Sequence, residues 1–99
     1  GQLYLLTDEH NYSAAESFCI FAKATNWAQL VGTRTGGDGG RFDPIVLALS
    51  NSGLIVKFPV DMGLNPSGRA NEEYHTVPDI KTKQPVDKGK EIVNKKETK

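Results

Sequence analysis

The first third of the sequence constrains the fold most, because two short apolar runs flank a segment with helical spacing. The runs are residues 3–6 and 29–32, and their length is typical of buried strands. Residues 13–25, between them, are apolar on most sides, which is typical of a buried helix. The residues on its main apolar face are Ala15, Phe18, Cys19 and Ala22. A strand, a helix and a strand within about thirty residues predict two parallel neighbouring strands and an α/β fold.

Two further segments follow the βαβ unit. Residues 44–49 and 54–58 are apolar runs separated by Asn51-Ser52-Gly53, a sequence typical of a β-hairpin turn. Residues 59–78 contain the breakers Gly63, Pro66 and Gly68, so we expect a loop there. Loops of about twenty residues are uncommon in compact domains unless they are functional or pack against something else.

The composition excludes several classes of protein. The 99 residues carry 12 Lys and Arg against 12 Asp and Glu, so there is no basic excess of the kind that nucleic-acid binding requires. No apolar run approaches the roughly 18–20 residues of a membrane span, and the single cysteine allows no internal disulfide. Because so short a chain buries only about 60–65% of its unfolded surface, we expect a second copy or another segment of the same protein to cover apolar surface.

The charges are unevenly distributed along the chain. Residues 1–79 have five Lys or Arg and nine Asp or Glu, whereas residues 80–99 have seven Lys and three Asp or Glu. We therefore expect one domain over residues 1–80 and a basic tail over residues 81–99. The tail is predicted to be a solvated arm with a short helix near residues 87–96.

Ser13 and Glu16 at the start of the predicted helix allow two interpretations. Ser followed three residues later by Glu is the pattern of a capping box, in which each side chain accepts from the other residue's amide. Alternatively, Ser13 is a nucleophile, because helix N-terminal amides stabilise an oxyanion formed nearby. The surrounding residues do not match Gly-x-Ser-x-Gly. The local pattern leaves both interpretations open.

Several other segments carry residue types that support chemistry. The glycine-rich residues 36–40 lack the Gly-Lys-Ser/Thr ending of a phosphate-binding loop, so a mobile wall of a cleft is the better interpretation. Cys19 is predicted to be buried and inert.

A serine nucleophile needs a base, and the base needs an acceptor that orients its ring. His10 and His75 are the histidines of the chain, and both are typical of exposed loops. Glu72 is a candidate acceptor, with surface charge as its alternative. Glu72 and Glu73 are adjacent, so they are not the facing carboxylates of a glycosidase.

Five segments of the sequence occur in the order and spacing of a known family. They are Leu3-Tyr4-Leu5-Leu6-Thr7, Ser13-Ala14-Ala15-Glu16, Leu30-Val31-Gly32-Thr33-Arg34-Thr35-Gly36-Gly37, Val77-Pro78-Asp79-Ile80 and Asp87-Lys88-Gly89-Lys90-Glu91. Together they resemble the end of the catalytic domain of the tail-specific, or C-terminal processing, serine peptidases, a group that includes the tricorn-like peptidases. The resemblance implies part of a ββα-spiral core like those of Clp protease and crotonase.

The resemblance also implies roles for single residues. The first serine of the family motif, commonly Ser-Ala-Ser-Glu, is the nucleophile and corresponds to Ser13. The serine–lysine branch has a lysine where this chain has Asp38. Thr35-Gly36-Gly37 instead resembles the tricorn-like branch, which uses Ser, His and Glu. Its glutamate corresponds to Glu72, and Glu73 is the alternative because His75-Thr76-Val77-Pro78-Asp79 departs from the family's Gly-Val-x-Pro-Asp.

The resemblance implies hydrolysis of peptide bonds, with the Ala14 amide as an oxyanion donor. The family's histidine comes from an earlier segment that would precede residue 1, so this chain is expected to supply the serine and glutamate and to be a poor catalyst alone. No cofactor or metal is expected. The implied partners are peptide or protein substrates and the N-terminal part of the same peptidase or a partner copy, with an extracytoplasmic location favoured.

There are two alternatives to a peptidase. In a non-catalytic interaction or structural module, Ser13 is only a helix cap and Glu72 only surface charge. Acyl-CoA chemistry on the related crotonase fold fits poorly, because the glycine pair that forms the oxyanion hole in that family is not evident in the sequence.

Overall fold

The computed structural model describes residues 1–39 and 44–97. It contains five strands and three helices in this part of the chain. In chain order they are β1 (Tyr4–Thr7), α1 (Ala14–Ala24), β2 (Gln29–Gly32), β3 (Ile45–Ala48), β4 (Ile55–Phe58), α2 (Asn71–Tyr74), β5 (Ile80–Lys81) and α3 (Pro85–Glu97). None of these helices combines the length and the apolar character that crossing a bilayer requires.

The main sheet is parallel and has three strands, with β2 between β1 and β5. Tyr4 pairs with Gln29 and Thr7 with Gly32 along the first ladder, whereas β5 joins through Val31 and Ile80. The predicted strand–helix–strand unit and the α/β class are therefore confirmed. The short strand β5 was not predicted, because two residues carry no periodic signal.

The core lies between α1 and one face of this sheet. Cys19 and Ala22 of α1 cluster with Ala28 and Leu30, and Leu5 of β1 packs against them. Leu30 and Ala22 have no solvent exposure. Since Ala22 is small, the helix axis can approach the central strand closely, and this core fixes the direction in which the start of α1 points.

Asp79 ties the entry of β5 to the central strand. Its amide donates to the Leu30 carbonyl at 2.8 Å, and its carboxylate accepts from the Leu30 amide at 2.8 Å. Lys23 of α1 lies 3.8 Å from the other carboxylate oxygen. The Pro78-Asp79 segment of the family pattern thus joins β2, β5 and α1.

The second face of the sheet is covered by α3. Leu6 follows Leu5 in β1, so its side chain lies on the opposite face, and a Cβ added at the buried Gly89 would come within 3.1 Å of Leu6 Cδ2. The helix expected near residues 87–96 is present as α3, but it packs on the sheet instead of extending as an arm, because Gly89 lets that helix approach the sheet closely. The division into residues 1–80 and 81–99 stays a prediction.

The segment 59–78 is less irregular than predicted. It contains α2, and a turn before α2 is closed by hydrogen bonds from the Gly68 amide to Asn65 and from the Asn65 amide to Arg69, both 2.8 Å. The Asn71 amide donates to the Gly63 carbonyl at 2.9 Å. The glycines and the proline of this segment predicted a loop, whereas tertiary hydrogen bonds hold a short helix in place there.

The predicted hairpin is confirmed as the antiparallel pair β3 and β4. Every residue of both strands is exposed in the described part of the chain, and Ile55 is 72% exposed. An antiparallel sheet usually buries one face, and an isolated hairpin is marginally stable at best. The hairpin therefore presents two apolar faces that the described residues leave uncovered.

Gly32 offers a direct test of the parallel ladder. Its φ is +148°, and a Cβ would lie 1.9 Å from the Thr7 carbonyl oxygen. We expect Gly32→Ala to lower the free energy of unfolding by about 3 kcal/mol, through overpacking and backbone strain. The matched control is Gly53→Ala, where φ is +74° and no atom lies within 4 Å; we expect it to cost about 1 kcal/mol. Urea unfolding measures both, and equal losses would contradict the ladder geometry.

Candidate active site

Ser13 stands immediately before α1 in a strained backbone conformation. Its φ is 58° and its ψ −120°, whereas an N-cap residue normally has β-region dihedrals. Its amide donates to the Gly37 carbonyl at 3.1 Å, and its carbonyl accepts from the Ser17 amide at 2.9 Å. These bonds hold Ser13 on a sharp turn into the helix, with its side chain on the surface.

Of the two interpretations of Ser13 and Glu16, the described residues do not form the capping box. Ser13 makes no side-chain cap hydrogen bond, and Glu16 is fully buried rather than directed back to the Ser13 amide. Glu16 Oε1 accepts from Asn71 Nδ2 at 2.7 Å and from Thr76 Oγ1 at 2.5 Å. A buried carboxylate requires such donors, and they come from residues far along the chain that the local pattern could not reveal.

Ala14 is the first residue of α1. The first amides of a helix have no acceptor within it, and the helix dipole favours negative charge near them. The Ala14 amide therefore belongs to a group that can receive an anion beside Ser13. Its role as an oxyanion donor stays a prediction.

The glycine-rich loop packs closely against the residues that enter α1. The Gly36 amide donates to the Asn11 carbonyl at 2.7 Å, and a Cβ at Gly36 would lie 2.6 Å from the Glu9 carbonyl oxygen. Gly37 has φ +84°, and a Cβ added there would lie 2.9 Å from Cδ2 of the His75 ring. Glycine is thus required here for close approach of backbones. A mobile cleft wall stays a prediction, and residue 40 lies outside the described residues.

Glu72 and Glu73 are exposed residues of α2. Asn71, which precedes them, donates from its side chain to Glu16, and Glu16 lies three residues after Ser13. The structure thus brings together the elements that carry Ser13 and Glu72. The catalytic roles of the two side chains remain predictions.

Within the described residues, the ring nitrogens of His10 and His75 contact residues other than Ser13. His10 is exposed, with its Nδ1 3.5 Å from Asp8 Oδ1. His75 is half-buried, and its Nδ1–H donates to the Thr35 carbonyl at 2.6 Å. His75 also has φ 56°, so the segment after α2 is strained where it packs against Gly37.

Three further features have no assigned part in the chemistry at Ser13. Asp38, at the place of the serine–lysine branch's lysine, is an exposed acid. Ligand atoms of Asp8, Glu9 and His10 lie within 4.8 Å of one another on an exposed loop, an arrangement common on protein surfaces without a metal. A cavity of about 630 Å³ opens beside the second half of α1, and neither Ser13 nor Glu72 lines it.

Sequence reasoning missed Asn71, Thr76 and Thr35 as members of the site. All three are buried. They meet Glu16 or one another across separations of 41 to 60 residues. Isolated polar residues give no local signal of such partners, although the Ser-x-x-Glu pattern did mark Glu16.

The comparisons with known proteins identify the class of this chain. The family model of peptidase family S41 matches residues 1–82, which is 82 of 99 residues. The chain therefore belongs to peptidase family S41. This confirms the resemblance to the tail-specific serine peptidases.

One solved structure shows how much of a larger molecule this chain represents. The chain is similar to the structure of mature CPAF complexed with lactacystin, with a TM-score of 0.67 and 26% sequence identity. The match covers 93% of this chain and 19% of that one, so the chain spans about a fifth of the structure it matches. The curated proteins contain no match to the sequence.

The backbone strain at Ser13 predicts that its replacement by glycine stabilises the folded protein. Glycine adopts a positive φ without penalty, so Ser13→Gly relieves strain that typically costs about 1–3 kcal/mol, offset by about 0.5–1 kcal/mol of unfolded-state entropy. We expect the free energy of unfolding to rise by about 1 kcal/mol in urea titrations. Ser17→Gly, inside the exposed face of α1, is the control and should be destabilising. A loss of stability in Ser13→Gly would contradict the backbone strain.

Cys19 should be unreactive in the folded protein. Burial, and secondarily the charge of Glu16, raises the pKa of its thiol to about 11. The thiol is therefore protonated at neutral pH, and only the thiolate is a good nucleophile. We expect a maleimide reagent at pH 7 to label Cys19 slowly in native protein and completely in urea. Rapid labelling of the native chain would contradict this burial.

Proposed function

We propose that this chain is the nucleophile-bearing part of a serine peptidase, with Ser13 as the nucleophile. Membership of family S41 and the structural match support a serine peptidase in general. The observation that carries the assignment of Ser13 is its backbone, with φ 58° and ψ −120° at the entry of a helix. Strain of this kind is typical of functional turns, and strained strand-to-helix turns present nucleophilic serines.

The proposed chemistry is acyl transfer. Ser13 Oγ attacks the peptide carbonyl carbon while a histidine from outside these 99 residues takes the hydroxyl proton. The carbonyl oxygen gains the negative charge, and the Ala14 amide donates a hydrogen bond to it. Collapse breaks the peptide C–N bond, and the histidine returns the proton to the leaving amine. Water then attacks the acyl-enzyme by the same route and frees Ser13.

Glu72 has the proposed role of orienting that histidine. An acidic acceptor holds the imidazole in the required tautomer and stabilises the imidazolium. Glu72 is supported by the hydrogen bond from Asn71, its neighbour in α2, to Glu16 in the first turn of α1. Since the base comes from elsewhere, the chain alone is expected to be inactive.

The proposal extends to the surroundings of this chain. The small parallel sheet would form part of a ββα-spiral core, and the substrates would be peptides or proteins. The apolar hairpin β3–β4 is proposed to be covered by the remaining part of the same peptidase or by a partner copy. Its two exposed faces support this, with Leu47 51% exposed on one face and Ile55 72% exposed on the other.

Substitutions in the full-length peptidase test the assignment. We expect Ser13→Ala to lower kcat on fluorescent casein by about 10⁴-fold, because triad members act as a unit. We expect Glu72→Gln to lower it by about 10²–10⁴-fold, since the histidine loses its charged acceptor. The matched control is Glu73→Gln, which changes the same charge one residue away and should keep kcat within about twofold.

Two further measurements on the same variants, covalent labelling and thermal melting, distinguish a peptidase from a non-catalytic module. Covalent labelling by a fluorophosphonate should disappear in Ser13→Ala, while the thermal melt stays within a few degrees. Near-normal turnover in folded Ser13→Ala would exclude the peptidase mechanism and support a non-catalytic module. If Glu73→Gln lost activity and Glu72→Gln did not, Glu73 would be the residue that orients the histidine and Glu72 would be surface charge.

A further inference from the structure

Glu16 is a buried carboxylate that joins the start of α1 to a distant segment. It has no solvent exposure, and its Oε1 accepts from Asn71 Nδ2 at 2.7 Å and from Thr76 Oγ1 at 2.5 Å. Hydrogen bonds to a charged acceptor are short and strong, and low dielectric strengthens them further. Glu16 therefore ties α1 firmly to the two ends of the segment that contains α2.

Asn71 connects the same carboxylate to the glycine-rich loop. Its Oδ1 accepts from the Gly39 amide at 2.9 Å, and its Nδ2 also donates to Asn65 Oδ1 at 2.8 Å. Asn71 is buried and is the first residue of α2. Each polar atom of its side chain thus has a partner, so α2 has one position relative to α1 and the loop.

Thr76 fixes the other end of α2. Its amide donates to Thr35 Oγ1 at 2.9 Å, and the Thr35 amide donates to the Thr76 carbonyl at 3.1 Å. The loop whose Gly37 carbonyl accepts from the Ser13 amide therefore also anchors the chain after α2. The hydrogen bonds among Glu16, Asn71, Thr76 and Thr35 therefore form one network next to the turn that holds Ser13.

We propose that Glu16 and Asn71 are positioning residues that set the place of Glu72 relative to Ser13. The inference rests on the proposed function. Glu16 lies three residues after Ser13, about one helical turn, and Asn71 is the neighbour of Glu72. The 2.7 Å hydrogen bond between them connects the two proposed catalytic elements through buried side chains. An error of about 1 Å in such placement costs about a hundredfold in rate. We therefore expect loss of this bond to lower kcat more than it raises KM.

The test exchanges the donor and the acceptor of that bond in the full-length peptidase. Asn71→Asp keeps the acceptor for the Gly39 amide but removes the donor and sets a second carboxylate against Glu16. We expect kcat on fluorescent casein to fall about a hundredfold with KM within about threefold. Glu16→Gln keeps an acceptor oxygen for Asn71, so we expect a loss of about tenfold.

The double variant Glu16→Gln with Asn71→Asp supplies a new donor opposite the new acceptor. We expect it to recover kcat at least about tenfold over Asn71→Asp alone, a non-additivity that residues in direct contact show. Fluorophosphonate labelling of Ser13 should slow and recover in parallel. A role in stability alone would not produce this kinetic recovery.

The matched control is Thr7→Val, which also removes a buried hydrogen bond. Thr7 is 1% exposed, and its Oγ1 donates to the Thr33 carbonyl at 3.0 Å, outside the network. It should lower the melting temperature and leave kcat unchanged. A fall in kcat of Thr7→Val equal to that of Asn71→Asp would overturn the inference, since general destabilisation would then explain both.

A second pair of variants keeps the test decisive if Asn71→Asp does not fold. Thr76→Val removes the hydroxyl donor to Glu16, and we expect kcat to fall about tenfold, whereas Thr76→Ser keeps the donor and should stay near wild type. Unchanged kcat in folded Asn71→Asp or Thr76→Val overturns the positioning role. Full activity in Ser13→Ala instead overturns the proposed function, so the two failures are distinguishable.

Discussion

The buried carboxylate of Glu16 is the interaction on which the candidate site depends. It lies in the first turn of α1 and accepts hydrogen bonds from Asn71 and Thr76, so a helix near the start of the chain and a segment sixty residues later are held together. An isolated charge cannot be buried without such donors. Burial, and secondarily the charge of this carboxylate, raises the pKa of the Cys19 thiol, so the thiol stays protonated and unreactive at neutral pH.

The small parallel sheet provides the support for this arrangement. Its central strand β2 is covered by α1 on one face, where Leu30 is fully buried, and α3 covers the other face. Asp79 joins β2 to the chain that arrives from α2. The strained turn at Ser13 is therefore built on packed elements, which is what keeps a backbone with φ 58° from relaxing.

Family membership and the geometry support one another. A match to peptidase family S41 over residues 1–82 places a serine peptidase sequence on this fold, and the backbone at Ser13 departs from that of an ordinary cap. The chain spans 19% of the solved structure it matches. The hairpin β3–β4, which the described residues leave uncovered, and the base required by the proposed mechanism are the two features for which a further segment or a partner copy is proposed.

The sequence by itself determined the strands β1 and β2, the helix between them, the hairpin and the family, because periodicity, turn residues and motif order are local properties. It also marked Ser13 as a candidate nucleophile and, with Glu16, as a possible capping box. Only the tertiary structure decided that Glu16 faces Asn71, that α3 packs on the sheet instead of extending into solvent, and that the segment before Thr76 contains a helix. These outcomes depend on contacts between residues tens of positions apart, and such contacts leave no periodic trace in the chain.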